Sequence, residues 1–331
     1  MGDRKEFRDI QTQYYILQNK GLSFQNPESA KQLLIRYGYY EIINGYGFPF
    51  CYKDENGNEY YQKGTTFEQI YALYSADKEI RNAIFHGMIE VETNLRSIVS
   101  YVVSENFGVE QAQYMNRKNY NQGKPLSKPQ RGYKIDTIID KMKKISTDNV
   151  QPMKHYRQKY DNLYPWIMLK GFTFGNLVNF IKLQKSAPKR QIAALFFDVP
   201  VELVDDNLLN MFIDMLFLFH AYRNRSAHGG RIFNYHSEKA TMRYSKAFHN
   251  RMNVNPADYR NGKGKTGLTV LLHALSWLDN KVVFIETFSN IEHAFQEYAK
   301  LYPELNHEIF SDLGIDDEFF KEIRKMMNSY S

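Results

Sequence analysis

Apolar and polar residues alternate along most of this chain with the period of an amphipathic helix. After Thr65 and Thr66, either of which can cap a helix, apolar side chains recur at Ile70, Leu73, Tyr74, Ile80, Ile84, Met88, Val91, Leu95, Ile98 and Val99. That spacing predicts one long core helix from Tyr74 to Val103, or two joined near Gly87. Asp77, Arg81, Glu90, Glu92 and Arg96 stand between the apolar positions and read by default as a solvated face with spaced ion pairs, the alternative being that a few line a site. In IDTIIDKMKKI, Ile135, Ile138, Ile139, Met142 and Ile145 share a face, while Lys141, Lys143 and Lys144 point partly outward. Trp166, Ile167 and Leu169 read as inward, Gly171 breaks the pattern, and Phe174, Leu177, Phe180 and Ile181 begin another amphipathic helix. Further helices are expected between Pro188 and Pro200, around 237–252, from about Leu268 to Phe288, and in a short acidic region at the end.

The first 36 residues read as two short helices, the second opened by Pro27 with Asn26 as its N-cap and Glu28 in its first turn. The helical period then lapses in a stretch rich in Gly and aromatic residues. There Asn56-Gly57, between FCYK and EYY, marks either the turn of a two-stranded hairpin or part of an irregular aromatic-packed loop. Residues 122–134, with two Pro and two Gly, form a basic loop. The fold class is mainly α, with a possible small β-hairpin near residues 48–62 and no internal repeat.

One stretch departs from this regularity. Residues 205–236, DDNLLNMFIDMLFLFHAYRNRSAHGGRIFNYH, begin as an apolar run that only a buried helix explains. The run turns polar and basic at Arg223, reaches His228 and breaks at Gly229-Gly230, which places a cation and an imidazole at the rim of a packed domain.

Composition narrows the chemistry. At 331 residues the chain can bury a sizeable core in one large or two modest domains. Its single cysteine, Cys51, excludes an internal disulfide and a Cys-based zinc site and fits a reducing cytosol. With no apolar signal core and no run of 18 apolar residues, a soluble cytoplasmic protein without membrane contact is expected. The net charge of +6 is unevenly placed. Residues 117–161 carry 12 Lys/Arg against 4 Asp, residues 223–265 carry 10 against 2 acidic, and residues 276–331 reverse the balance with 11 acidic against 5 basic. Two basic tracts interleaved with tyrosines favour a polyanion partner, RNA or DNA, over unevenly charged helix faces.

Several familiar chemistries lack their residues. NGKGKTG (261–267) contains Gly-x-Gly-x-x-Gly and Gly-Lys-Thr, but no strand precedes it and Tyr259 stands where a phosphate-binding loop needs its first Gly. It reads as a flexible basic loop. No metal-ligand spacing and no Gly-x-Ser-x-Gly elbow occurs. Arg and His remain. A metal-free ribonuclease can use an imidazole to move the 2′-OH proton or protonate the leaving 5′-oxygen, and a guanidinium to hold the phosphate. Arg–His pairs with four to six residues between them occur four times, as Arg81–His86, Arg223–His228, Arg231–His236 and Arg243–His249, where composition alone gives about one. Arg81–His86 sits in a regular helix and reads as a surface Arg beside a boundary His. Only Arg223–His228 follows a long apolar run and ends at Gly-Gly, and adjacent Asn224 can orient His228 or a phosphate. On physics alone a helix terminus whose last carbonyls are satisfied by Arg and His explains the stretch equally well.

RNRSAHGGRIFN (223–234) resembles the R-N-x-x-x-H motif of HEPN-domain ribonucleases, in the form found in bacterial abortive infection proteins of the AbiD/AbiF type. Gly38-Tyr39-Tyr40, GTTFEQIYALY (64–74), IEVETNLRS (89–97), Pro165-Trp166 and Phe174-Gly175 resemble further features of that family, in order. The resemblance covers roughly residues 25–250 and implies a core that is a HEPN-like helical bundle. The residues themselves read as a single helical domain over 1–331, with N-terminal helices and hairpin in 1–65, a core with the motif in 66–250 and a C-terminal helical extension in 251–331. It implies a homodimer that joins two motifs into a composite site, metal-independent RNA cleavage without a cofactor, a toxin's role in phage defence, and a small structured non-coding RNA as restraining partner. Gly229-Gly230 departs from relatives that carry a second His there, which puts an extra imidazole in doubt but not His228. The expected roles are His228 as acid/base, Arg223 on the scissile phosphate and Asn224 as positioner, with a 2′,3′-cyclic phosphate and a 5′-OH as products. Arg225, Arg231, Lys141, Lys143 and Lys144 are candidate RNA-binding residues. The alternative is a non-catalytic protein that holds a structured RNA through its basic tracts.

Overall fold

A computed structural model of the chain describes residues 6–129, 131–303 and 317–328. Two short helices open it, α1 (Ile10–Asn19) and α2 (Pro27–Tyr37), the second capped by Asn26, whose side chain accepts from the Ser29 amide at 3.0 Å. The hairpin is present: β1 (Cys51–Lys53) and β2 (Glu59–Tyr61) pair antiparallel with Tyr52 opposite Tyr60. Its turn is held by Asp54, which accepts from the amides of Asn56 and Asn58, while Gly57 takes the left-handed φ of +80° that a side chain would strain.

The helix that organises the rest is α3 (Phe67–Phe107), 41 residues and about 60 Å long. Thr66 and Gln69 form a reciprocal capping box at its start. It runs unbroken through Gly87, where a Cβ would collide with Thr287 Oγ1 on a neighbouring helix. Then follow α4 (Gln111–Tyr114), α5 (Lys134–Ser146), α6 (Met153–Tyr160), α7 (Pro165–Met168), α8 (Phe174–Leu183), α9 (Ser186–Phe197) and α10 (Asp206–Ala227). After these come α11 (Lys246–Asn250), α12 (Pro256–Arg260), α13 (Leu268–Leu275), α14 (Lys281–Leu301) and a last helix, Asp317–Asn328. Helices α7, α9, α10 and α14 pack around α3, with α8 against α10 and α5 against α7 and α8. One core joins Met88, Val91 and Leu95 to Phe212 and Phe219 of α10 and Phe284 and Phe288 of α14. A second gathers Leu17, Leu34, Tyr46, Phe67 and Tyr74 with Phe233 and Tyr298, so α3 belongs to both.

Several expectations need correction. Asp77, Arg81 and Glu92 are not a solvated face: they are 1%, 8% and 5% exposed, because each meets partners from distant segments. Trp166 is not packed inward but 45% exposed, since its neighbours Pro165 and Ile167 take the buried positions. Pro188 lies inside α9 rather than bounding it. The helix expected at 237–252 shrinks to α11, and that expected over 268–288 is two. Lys281 Nζ donates to the carbonyls of Ser276 and Leu278 at 2.9 and 2.6 Å, which satisfies chain that has left the helix between α13 and α14. The loop 261–267 is pinned rather than loose, since Lys265 O accepts from the Met242 amide and Gly264 O lies 3.1 Å from His249 Nε2. Part of the expected acidic tail, residues 304–316, lies outside the described residues.

His273 on α13 gives the fold an acid sensitivity. Burial first, and then the Arg251 charge, pull its pKa down from the ordinary value to about 4. The unfolded chain takes up this proton near pH 6.5, the folded one only near 4. Stability is therefore complete above about pH 6.5, falls as pH drops, and has lost about 3 kcal/mol once pH passes below the folded value. In urea unfolding at about pH 7 and about pH 4, His273→Gln is expected to show a drop smaller by roughly that amount. Equal drops in variant and parent reject the assignment.

Candidate functional site

The stretch 205–230 folds as a capped helix with a defined stop. Asp205 caps α10, accepting from the Leu208 amide at 2.8 Å, and Met211, Phe212, Met215, Leu216, Leu218, Phe219 and Tyr222 are buried. At the far end the Gly229 amide donates to Ser226 O at 3.2 Å and the Gly230 amide to Arg225 O at 2.8 Å, with Gly229 at φ +69°. This is a Schellman stop, and His228 is the C-cap residue. Gly230 is small for a different reason: a Cβ there would lie 2.6 Å from Arg225 Nε, whose side chain folds over it to reach Arg231 O at 2.9 Å. The glycine pair thus ends the helix and seats Arg225.

Arg223 leaves α10 toward α3. Its Nε lies 3.6 Å from Glu92 Oε2, and its guanidinium carbon sits 5.9 Å from the centre of the Phe85 ring. Glu92 is buried and its other oxygen binds Arg96, which also donates to Phe172 O at 2.9 Å. One carboxylate is thus shared by two arginines, one tied to the backbone ahead of α8 and the other aimed at the rim. Neither Nη of Arg223 is engaged by a protein acceptor among the described residues, so both are open to an anion.

On the adjoining side of the helix, residues 220, 224 and 228 follow one another at four-residue spacing. Asn224 Nδ2 lies 3.0 Å from His220 Nε2. Burial, and then the Arg223 charge, push the His220 pKa down, which favours a neutral ring whose Nε2 accepts from the Asn224 amide. Gly175, at the start of α8, makes room for this ring, because a Cβ there would stand 2.7 Å from His220 Nε2. His228 is exposed, and no acceptor or donor among the described residues engages its imidazole. Five helix positions separate it from Arg223, about 140° of rotation, so the two leave the helix on different sides rather than on neighbouring faces of one groove.

The four Arg–His pairs now separate. Arg81 is held by Asp77 and Tyr46, each at 3.0 Å, and is a buried structural cation rather than a surface one. Arg231 donates to Gly45 O and covers the Phe48 ring at 5.2 Å. Arg243 grips Asp214 through Nε at 2.7 Å and Nη2 at 3.0 Å, and its partner His249 is fully buried. Among the described residues, Arg223 alone of these four arginines keeps both terminal nitrogens unengaged.

The other expected RNA-binding residues are dispersed. Arg225 and Arg231 support the chain after the motif, Arg225 also stacking over Tyr235 at 4.9 Å. Lys141, Lys143 and Lys144 lie on α5, which packs on α6, α7 and α8; Lys143 and Lys144 are exposed, and Lys143 pairs with Asp140 at 3.2 Å. Sequence reading missed Glu92 and His220. Glu92 carried the signals of standing four residues before Arg96 and of lying in the family-like segment IEVETNLRS, and His220 that of a polar ring inside an apolar run, four residues before Asn224. Among the described residues no group of three His, Cys, Asp or Glu side chains is placed to hold a metal ion, and no helix is long and apolar enough to cross a membrane.

Neither a curated protein nor a solved structure matches the chain. The sequence profile of a family described as Abi-like protein matches residues 32–234, from α2 to just past the motif at the end of α10, and because that is more than half of the 331 residues, the chain belongs to the Abi-like protein family.

Proposed function

We propose that this protein is a metal-independent HEPN endoribonuclease of the AbiD/AbiF kind, acting as a toxin in phage defence and restrained by a small structured RNA. Family membership supports the coarser part, a role in abortive infection. The observation that carries the finer part is Arg223: among the described residues it alone of the four Arg–His pairs has both Nη groups unengaged, and His228, five residues on, is exposed and unengaged as well.

In the proposed reaction His228 takes the proton from a ribose 2′-OH, and the 2′-oxygen attacks the adjacent phosphorus as the bond to the 5′-oxygen breaks. A second imidazole protonates the leaving 5′-oxygen, giving a 2′,3′-cyclic phosphate and a 5′-OH. Arg223 holds the phosphate and offsets its developing charge. Asn224 positions these groups, and His220 fixes the Asn224 amide. The wide angle between Arg223 and His228 supports a homodimer in which two copies complete each site, the second imidazole coming from the partner. The basic tracts, Lys141, Lys143 and Lys144 among them, hold the RNA, whether substrate or restraint.

The test is to incubate purified protein with end-labelled RNA in EDTA. Fragments ending in a 2′,3′-cyclic phosphate are expected. Cleavage only on adding a divalent metal, or fragments with a 3′-OH, overturn the proposal; binding without turnover at any protein concentration assigns the chain instead as a non-catalytic RNA holder.

A further inference from the structure

Away from α10, the surface of α6 and α7 carries a run of aromatic rings, of which Tyr156 packs against the core while Tyr160 and Trp166 are exposed. Tyr156 and Tyr160 lie 5.3 Å apart, Tyr160 and Tyr164 6.1 Å apart, and Tyr164 stacks on Trp166 at 4.8 Å with only 5° between the rings. Trp166 and Tyr160 are each 45% exposed. One face of the indole is covered by Tyr164, so its exposure belongs to the opposite face and edge.

The rings are fixed in place. Pro165 and Ile167 are buried on either side of Trp166, and Met153 anchors the start of α6. Arg157 ties α6 to the end of α5 by donating to Ser146 O at 2.9 Å, Asp148 O at 2.8 Å and Asn149 Oδ1 at 2.9 Å. A rigid, half-exposed ring stack loses little entropy when a further flat ring is added to it.

The surroundings are cationic. Residues 150–170 hold four Lys/Arg and one Asp. Lys154, Lys159 and Lys170 are exposed, and Lys159 Nζ sits 5.2 Å from the centre of the Tyr160 ring. An apolar protein partner would not call for lysines among its contacts, whereas aromatic rings interleaved with cations match a strand of bases strung on phosphates. The patch also connects to the candidate site: α7 runs on to Phe172, whose carbonyl accepts from Arg96, the arginine that shares Glu92 with Arg223.

We infer that the exposed face of α6 and α7 is a platform for unpaired bases of single-stranded RNA, with Trp166 and Tyr160 stacking on bases and Lys154, Lys159 and Lys170 facing the phosphates. The inference rests on the proposal that RNA is this protein's ligand, but not on its being cleaved.

Binding is measured on the full chain carrying His228→Ala, so that RNA stays intact, by anisotropy of a labelled unstructured RNA and by tryptophan fluorescence. The chain has two tryptophans, Trp166 and Trp277, so a quench that disappears in Trp166→Ala reports this platform. Trp166→Ala is expected to weaken single-strand binding about ten-fold, Trp166→Phe to restore most of it, and Tyr160→Ala to weaken it independently. Fully paired duplex RNA is expected to bind less tightly and without quench. Unchanged affinity in Trp166→Ala and Tyr160→Ala, or RNA binding with no change in fluorescence, overturns the inference. Cleavage by the chain with His228 intact is scored separately. Cleavage with unchanged binding by the ring variants removes the platform and keeps the nuclease, and ring-dependent binding without cleavage does the reverse.

Discussion

Replacing His228 with alanine is expected to slow RNA cleavage in EDTA by about 10²–10⁴-fold, the range for loss of a general acid–base, while fold and RNA binding persist. The structural cost is small because the imidazole is exposed and unengaged among the described residues, and the Schellman stop uses only backbone groups around it. Arg223→Ala is expected to lower the rate comparably, and Arg223→Lys to recover little, since an ammonium cannot present two fixed donors to a phosphate. His86→Ala and His236→Ala serve as controls, because the arginines paired with them in sequence, Arg81 and Arg231, are bound to protein acceptors. Initial rates on labelled RNA, with thermal unfolding run alongside, measure the effect. A His228→Ala protein that keeps its rate within about three-fold would remove His228 from the chemistry.

What the sequence made legible was whatever is encoded within a few turns. Asn26 and Thr66 cap the helices their spacing announced, and Asn56-Gly57 turns its hairpin. The passage from apolar α10 into Arg223 and His228 is a local change of pattern and was visible as such. Charged residues inside an amphipathic helix default to solvent, and for Asp77, Arg81 and Glu92 that default failed because their partners are remote. Asp77 meets Tyr46, 31 residues before it, and the amides of Ile232 and Phe233, more than 150 residues after it. Glu92 meets Arg223 in the same way, and the site's support was therefore invisible while its tip was not. Trp277 and Leu278 hid the break between α13 and α14, because apolar residues continue the pattern across a gap that only Lys281 and the local carbonyls reveal. Trp166 misled in the opposite sense: hydrophobicity placed it inside, and its buried neighbours left it out.

The buried carboxylate at Asp77 is expected to dominate stability: Asp77→Ala should cost about 3–5 kcal/mol, the range for removing one partner of a buried ion pair. Its carboxylate accepts from the Tyr46 hydroxyl at 2.5 Å, from Arg81 at 3.0 Å, and from the amides of Ile232 at 3.2 Å and Phe233 at 2.7 Å. Without it, two backbone donors, the Tyr46 hydroxyl and a guanidinium lose this buried acceptor together, and each unpaired group adds its own desolvation penalty. The loss spreads along the chain because Phe233 belongs to the core of α1, α2 and the start of α3, and it stands three residues after the glycine pair that ends α10. Asp77→Asn is expected to lose less, since its amide keeps one acceptor oxygen. Adding Arg81→Met to Asp77→Ala should recover part of the loss by removing the stranded cation while leaving the two amides unsatisfied. Urea unfolding followed by far-UV circular dichroism measures all three. A loss below about 1 kcal/mol for Asp77→Ala, or no recovery in the double variant, would mean that water enters and replaces the carboxylate, so that this junction between the two cores is far less tightly sealed than its hydrogen bonds imply.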